Sequence, residues 1–270
     1  MLLPLVIDST QLYSVIKNPH LIVIDLSAAD TYRQGHIPGA IWADAARLQN
    51  GTAPVPNKLP DDRQLSQLFS DCGITESSHA VVYDDQNGAL AGRFIWSMHC
   101  AGLRNASFLN GHLAAWTAAG YPVETTVNQT TPSAITVSTT TDLIADKDYL
   151  MAHIGQTNIS IWDARSHDEF IGARVVNAVK GGHIPGAHWL EWTDSLEQLN
   201  PPLLASPDTL MALIIKAGIE PDKTVITHCQ THRRSGLTYI AALHAGLSDV
   251  KCYDGSWFEW GNLPDTPVEL

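Results

Sequence analysis

One loop of the sequence combines a cysteine with two arginines and several hydrogen-bonding side chains, and it separates an apolar run from a helical pattern. Its residues are Cys229, Gln230, Thr231, His232, Arg233, Arg234 and Ser235. Unpaired backbone N–H groups at a helix N-terminus attract anions, and the two arginines add permanent positive charge. Both effects lower the pKa of a cysteine and make its thiolate available. The pattern predicts that Cys229 is a nucleophile in a loop that also binds a small anion.

Two other uses of this cysteine are disfavoured by the residues around it. A buried and inert thiol suits the other cysteines better, because an unbroken run of polar residues follows Cys229. These other cysteines are Cys72, Cys100 and Cys252. A metal site built from His228, Cys229 and His232 has loose ligand spacing, and the adjacent arginines would repel a cation. Neither a metal nor an organic cofactor is expected.

The length of the loop distinguishes phosphoryl transfer from sulfur transfer. Cysteine phosphatases need a Cys-x5-Arg loop that is wide enough to wrap a tetrahedral phosphate. Here the last arginine is Arg234, which gives Cys-x4-Arg, and Ser235 occupies the next position. A tighter loop suits a single sulfur atom bonded to Cys229 and surrounded by N–H donors. Sulfur transfer is therefore favoured, with a cysteine phosphatase or an arsenate reductase as the alternative.

Short apolar runs alternate with helical patterns along the chain. This order predicts α/β domains, each with a mainly parallel sheet flanked by helices. The predicted strands are 2–7, 21–25, 80–84, 107–110, 159–163, 224–228 and 249–253. The predicted helices are 61–71, 91–102, 206–217 and 234–246. In such sheets reactive groups lie at the carboxyl ends of strands, and Cys229 directly follows one of the runs.

The hexapeptide Gly-His-Ile-Pro-Gly-Ala occurs twice, at residues 35–40 and 182–187. Further segments match in the same order: 23–32 with 161–170, 81–86 with 225–230, and 110–116 with 254–260. Collinear matches of this kind indicate two copies of one domain. The predicted organisation is a first domain, a Thr-rich linker and a second domain. Their bounds are 1–124, 125–141 and 142–270.

The composition restricts the partners of the protein. The chain has 270 residues, a formal net charge of -12 and a sequence pI of about 5.3. An acidic surface repels phosphate backbones and anionic lipids, so neither nucleic acid nor a membrane is expected as a partner. No apolar run is long enough to span a bilayer, and the start of the chain lacks a signal peptide pattern. With no close cysteine pairs, a cytoplasmic location is expected.

The chain resembles the two-domain rhodaneses, which are thiosulfate:cyanide sulfurtransferases. The resemblance covers nearly the whole chain and rests on the paired hexapeptides, the strand end Asp163-Ala164-Arg165, the loop after residue 228 and the terminal stretch 255–268. The loop is most similar to that of bacterial tandem-domain members, which read Cys-Gln-Thr-His-x-Arg-Ser. The resemblance implies that Cys229 takes sulfur from thiosulfate as a persulfide and passes it to cyanide or another thiophile.

The residues themselves suggest roles that agree with this mechanism. The amides from Gln230 to Ser235 would surround the persulfide, as an oxyanion hole surrounds its anion. Arg233 and Arg234 would neutralise the sulfonate end of the donor, with Arg234 the better candidate to point inward. Asp163 and Arg165 either position the loop or form a salt bridge that supports the sheet. The remaining candidates are His228 and His232 as proton carriers and Trp192 as a pocket wall or an ordinary core residue.

The sequence differs from its relatives at several positions. Vertebrate-type thiosulfate enzymes carry an arginine and a lysine where this chain has Glu169 and Thr231. Thiosulfate is the favoured donor because two loop arginines suit a dianion. A 3-mercaptopyruvate sulfurtransferase and a persulfide carrier to a protein partner stay open as alternatives, and the acceptor is cyanide, a thiol or a protein. The repeat aligns Asp85 with Cys229, so the first domain is predicted to be catalytically silent.

Overall fold

The structure, a computed structural model, describes residues 3–270 and divides into two compact units. The first unit comprises the chain up to Asn50, Leu59–Thr140 and Gln198–Leu204. The second comprises Gly51–Lys58, Thr141–Glu197 and Ala205–Leu270. Each unit therefore includes one short segment from the other half of the sequence, an exchange that the repeat pattern does not reveal.

Eleven strands and ten α-helices form within the described residues. The strands are β1 (Val6–Ile7), β2 (Leu21–Asp25), β3 (Ile41–Trp42), β4 (His79–Tyr83), β5 (Ala106–Leu109), β6 (Ile159–Asp163), β7 (Ala187–Trp189), β8 (Leu196–Leu199), β9 (Pro202–Leu204), β10 (Thr224–His228) and β11 (Val250–Cys252). The helices are α1 (Ser9–Val15), α2 (Ala29–Gln34), α3 (Asp62–Asp71), α4 (Ala89–Cys100), α5 (His112–Ala118), α6 (Lys147–His153), α7 (His167–Phe170), α8 (Pro207–Lys216), α9 (Arg234–His244) and α10 (Ser256–Trp260). Leu2, where the first predicted strand begins, lies outside the described residues.

Each unit is built on a parallel sheet. The first sheet has the order β1-β5-β4-β2-β3 and the second the order β11-β10-β6-β7. All strand pairs in both sheets are parallel. Strands β4 and β6 are buried along their whole length, as expected for strands covered on both faces. The structure confirms the predicted pair of α/β domains with parallel sheets and flanking helices.

The repeated hexapeptide makes the same contacts in both units. His36 and Glu124 exchange two backbone hydrogen bonds of 2.9 and 3.0 Å. His183 and Glu269 repeat this exchange at 2.9 and 3.0 Å. The last glycine of each hexapeptide also donates its N–H to the carboxylate of the same glutamate. The motif therefore anchors the segment that ends each copy, which gives the sequence identity a structural reason.

The Thr-rich segment after Glu124 contains no helix or strand through residue 140. Ser133 donates its N–H to the carbonyl of Ser70 at 3.0 Å. The N–H and hydroxyl of Thr139 both donate to Asp62 at 2.9 and 2.7 Å. These contacts hold the segment along α3, and it groups with the first unit. Within residues 3–270 no helix combines the length and apolar character needed to cross a membrane.

Candidate active site

Cys229 lies at the carboxyl end of β10, between the two neighbouring strands of the second sheet. Its side chain is buried, with 1% of the residue exposed. Its carbonyl accepts the N–H of Trp257 at 3.0 Å, and its own N–H donates to the Ser256 hydroxyl at 3.4 Å. His232 adopts a φ of 54°, in the left-handed region, and this conformation lets the loop turn back before α9 begins. The cysteine is thus fixed by its backbone, inside the turn.

The surroundings of the sulfur favour its anionic form. Burial alone raises the pKa of the Cys229 thiol, because a thiolate loses hydration in the interior. The charge of Arg234 lowers it, as do the hydroxyl and N–H of Ser235 and the N–H of Thr231. These attractions outweigh burial, so the pKa lies below that of an ordinary cysteine. Nearby cations and N–H donors of this kind are what make a cysteine thiolate available in proteins.

Arg234 lies between the sulfur and a buried carboxylate. Its guanidinium donates a hydrogen bond toward Cys229. It also donates to both carboxylate oxygens of Glu169, Nη1 to Oε2 at 2.7 Å and Nη2 to Oε1 at 2.9 Å. Arg233 is exposed at the N-cap of α9. Of the two loop arginines, the one at the sulfur is therefore Arg234.

A second charged group supports the loop from the neighbouring strand. Asp163, which ends β6, pairs in register with His228, and both are fully buried. Arg165 donates to Asp163 through Nε at 3.0 Å and through Nη2 at 2.6 Å. Its guanidinium also lies over the Trp257 ring, 4.3 Å from the ring centroid. These contacts join the end of β6 to the start of α10, which is also where Cys229 makes its backbone bonds.

Protonation in this buried group follows from its charges. Burial raises the pKa of Asp163, but His228 and Arg165 lower it by more. The pKa therefore lies below the usual aspartate value. Burial lowers the pKa of His228, although Asp163 opposes the change. His228 Nε2 lies 3.6 Å from Asp163. The group is therefore an ionised aspartate that is paired with Arg165 and lies beside His228.

The remaining predicted residues have distinct positions. The Gln230 side chain donates to the Val176 carbonyl at 2.5 Å. His232 Nδ1 contacts the Ser235 hydroxyl at 2.7 Å, which links the turn to the first turn of α9. Trp192 is half-buried, and its backbone N–H donates to the Ala164 carbonyl at 3.2 Å. The N–H groups of Thr231 and Ser235 and the guanidinium of Arg234 therefore act on Cys229, while the Gln230 side chain bonds to Val176.

Sequence reasoning did not identify Glu169 as a partner of the loop. Its local role was readable, because Ser166 and Glu169 form the capping box that begins α7. Its pairing with Arg234, far along the chain, depends on how α7 and α9 meet in the fold. Ser256, which holds the Cys229 N–H, was missed for the same reason.

The strand register corrects the position in the first unit that is equivalent to Cys229. Asp25 pairs with Tyr83 in the first sheet, as Asp163 pairs with His228 in the second. The residue after Tyr83 is Asp84, so Asp84 rather than Asp85 occupies the cysteine position. An ungapped alignment of the two copies misses this one-residue shift.

The Asp84 carboxylate fills its own loop. It is 2% exposed and accepts four backbone N–H bonds of 2.8 Å each. The donors are Gln86, Gly88, Leu90 and Ala91. Asn87 has a φ of 55°, at the same distance from Asp84 as His232 from Cys229. The first unit thus keeps the turn of the Cys229 loop, with a buried carboxyl group where the second unit has a thiol.

Within residues 3–270 no group of three or more His, Cys, Asp and Glu side chains is arranged to hold a metal ion. The polar groups around Cys229 are instead hydrogen-bond donors and one guanidinium. Such donors suit an anion rather than a cation.

Comparisons with known proteins agree with the repeat and the fold. Residues 8–119 and 146–263 each match the family model of the rhodanese-like domain. The chain is 43% identical over 268 residues to a thiosulfate sulfurtransferase of Azotobacter vinelandii, with 99% of this chain and 98% of that protein covered. It is 41% identical over 268 residues to one of Pseudomonas aeruginosa, at 99% and 98% coverage. Its fold is similar to the crystal structure of SseA, a 3-mercaptopyruvate sulfotransferase of Escherichia coli, with a TM-score of 0.85, 25% identity, and 94% and 99% coverage.

Proposed function

The chain belongs to the rhodanese-like family, and we propose that it is a thiosulfate sulfurtransferase that carries sulfur on Cys229. The observation that carries this proposal is the thiolate environment of Cys229, a buried sulfur that receives loop N–H bonds and the charge of Arg234. The two full-length thiosulfate sulfurtransferase relatives support thiosulfate as the donor. The loop residues 229–235 match the Cys-Gln-Thr-His-x-Arg-Ser pattern of the bacterial tandem-domain type.

In the first step the Cys229 thiolate attacks the outer sulfur of thiosulfate. A new S–S bond forms at Cys229, the S–S bond within thiosulfate breaks, and its electron pair leaves with sulfite. The product on the protein is a persulfide anion, so one negative charge stays in the loop. The N–H groups of Thr231 and Ser235 that favour the thiolate are positioned to favour this anion also.

In the second step a thiophilic acceptor attacks the outer sulfur of the persulfide. With cyanide, a C–S bond forms, the persulfide S–S bond breaks, and the electron pair returns to Cys229 as a thiolate while thiocyanate leaves. A thiol acceptor gives a new persulfide in the same way. The loop environment that lowers the pKa of Cys229 also makes it a good leaving group in this step.

Arg234 is the proposed contact for the sulfonate end of the donor. It is the loop arginine beside the sulfur, and its side chain keeps 24% of its surface exposed. A guanidinium presents several donors in one plane, which suits the oxygens of a sulfonate. We assign Asp163, Arg165 and His228 to holding the strand end that carries Cys229.

Mass spectrometry tests the proposal directly. Thiosulfate should add about 32 Da, one sulfur atom, to the peptide that contains Cys229, and cyanide should remove it. The Cys229→Ser variant should show no addition. An adduct that survives this substitution, or no adduct on the wild-type protein, would overturn the proposal.

The donor and the acceptor are separated by kinetics. The second candidate donor is 3-mercaptopyruvate, because the fold is similar to that of the 3-mercaptopyruvate sulfotransferase. That enzyme is a more distant relative than the two thiosulfate sulfurtransferases. Thiosulfate should give the higher kcat/KM when the two donors are compared with cyanide as acceptor. Stoichiometric loading without turnover would favour a persulfide carrier. The four cysteines are all buried thiols, which suits the reducing cytoplasm that we propose as the location.

A further inference from the structure

Glu169 contacts the loop from outside it, through two hydrogen bonds with Arg234. The residue is 4% exposed, and both of its carboxylate oxygens bond to Arg234. Bidentate pairs of this kind fix the plane of a guanidinium as well as its position. An arginine side chain without such a partner has several rotatable bonds and samples many positions. The direction in which Arg234 presents its donors is therefore set by Glu169.

Glu169 is itself held in place. The Ser166 hydroxyl donates to Glu169 Oε2 at 2.9 Å, and the Ser166 N–H donates to the same oxygen at 3.3 Å. Burial raises the pKa of Glu169, but the bonds from Arg234 and Ser166 outweigh it and keep the pKa below the usual value. A fixed chain of contacts thus runs from Ser166 through Glu169 and Arg234 to Cys229.

We propose that Glu169 is a positioning residue for sulfur transfer, which acts by holding the Arg234 guanidinium against the Cys229 sulfur. This inference rests on the proposed function, because the anion at Cys229 is what the guanidinium serves. Glu169 does not touch the reacting sulfur in this account. Its contribution is the geometry of the cation beside it.

A positioning role for Glu169 and an effect of its charge alone predict opposite results when the residue is neutralised. A carboxylate near a thiolate repels it, and it also repels a dianionic donor. If Glu169 acted only through its charge, neutralising it would lower the pKa of Cys229 and lower the KM for thiosulfate. If it positions Arg234, the same change loosens the guanidinium, so the pKa of Cys229 rises and kcat/KM falls.

A second carboxyl near the pair supplies a matched control. Burial raises the pKa of Glu191, with Asp194 and Glu169 adding to the rise and Arg234 opposing it. Glu191 therefore feels the charge of Arg234, whereas Glu169 carries the bidentate contact. Glu191→Gln removes a neighbouring carboxyl and leaves the Glu169–Arg234 pair in place.

The experiment compares the wild type with Glu169→Gln, Glu169→Asp and Glu191→Gln. The readouts are the pH profile of iodoacetamide reaction at Cys229 and the kinetics with thiosulfate and cyanide, with thermal unfolding as a check on folding. Cys229→Ser gives the background from the other thiols. Glu169→Gln should move the midpoint of the profile upward and reduce kcat/KM about tenfold, the scale of one charge-assisted hydrogen bond. Glu169→Asp, which keeps the charge, should recover part of the rate, and Glu191→Gln should change both readouts much less.

Two results would overturn the inference. One is a folded Glu169→Gln protein in which two things hold together. The midpoint of its alkylation profile moves downward or stays fixed, and its kcat/KM equals or exceeds that of the wild type. The other is an equal effect of Glu191→Gln and Glu169→Gln. Failure of the proposed function is distinct, because the wild-type protein itself would then form no persulfide with thiosulfate.

Discussion

Around Cys229 the protein balances two opposing effects on a single sulfur atom. Burial disfavours a thiolate, while one guanidinium and a few N–H and O–H donors favour it, and the donors prevail. The sequence predicts this environment because its parts are adjacent along the chain, from Cys229 to Ser235. It does not predict Glu169, whose contact with Arg234 arises only when α7 and α9 fold together. The sequence predicts groups that lie next to one another in the loop, but not contacts between residues far apart in the chain.

The two loop arginines should behave differently when they are replaced. Arg234→Ala removes the cation beside the sulfur, so the midpoint of the Cys229 alkylation profile should rise by about one pH unit or more. Arg233→Ala is the matched control, because Arg233 is exposed and should leave the midpoint nearly unchanged. Iodoacetamide rates across pH measure both. Equal shifts in the two variants would contradict the assignment of Arg234 to the sulfur.

At the scale of single elements, apolar runs located the strands well. The run 159–163 is β6 and the run 224–228 is β10, residue for residue. The shortest elements mostly escaped prediction, including the two-residue strand β3 and the three-residue strand β7, because they have too little periodicity to register. The Asp85 alignment was wrong by one residue, since strand register depends on pairing between strands rather than on letter matches.

The loop of the first unit should depend on the Asp84 carboxyl group. Asp84→Ala leaves four backbone N–H groups without their acceptor, which should cost about 3 kcal/mol or more of stability. Asp85→Ala is the control, because Asp85 is exposed. Its carboxyl group accepts hydrogen bonds from the N–H of Ala28 and the hydroxyl of Thr31, which lie outside this loop. Chemical denaturation of both variants measures the difference. Equal losses would show that Asp84 does not hold the loop.

At the scale of the whole molecule, one fold occurs twice, and the two copies have different charges at their strand ends. Asp163 in the second unit is paired with Arg165, whereas its counterpart Asp25 has Ser27 at the corresponding position. The repeat predicted the duplication, and the family comparison confirms it. The assignment of 51–58 and 198–204 to the opposite units was beyond the sequence, because it depends on tertiary contacts.

The Asp163–Arg165 pair makes stability depend on pH with a defined sign. The pKa of Asp163 is depressed in the folded protein, so the pair stabilises above the unfolded pKa of about 4, and this contribution is lost as pH falls through the folded value. Arg165→Ala leaves a buried carboxylate unpaired, which should cost about 3 kcal/mol near neutral pH.

The loss caused by Arg165→Ala should shrink toward pH 5. Burial then dominates the pKa of Asp163 and raises it, so the folded variant binds a proton more readily than the unfolded chain. His228, 3.6 Å from Asp163, can take up a proton with the same effect. Thermal unfolding of the wild type and the Arg165→Ala variant, near neutral pH and at about pH 5, measures the change in this loss. A constant loss across this range would argue against a buried, ionised pair.

Only one of the two copies is expected to carry sulfur. Burial raises the pKa of Cys72 to about 12, so that thiol is not a nucleophile near neutral pH. Asp84 stands at the position of the first unit that corresponds to Cys229, and a carboxylate forms no persulfide. The whole chain should therefore load a single sulfur.

Following the outer sulfur of thiosulfate tests this central claim most directly. Thiosulfate labelled at the outer sulfur should transfer one label per chain to Cys229, with one unlabelled sulfite released for each label bound, and cyanide should then carry the label away as thiocyanate. Thiosulfate labelled at the inner sulfur should leave the protein unlabelled. Label from the inner sulfur on the protein, or thiocyanate formed without prior labelling of Cys229, would contradict the account.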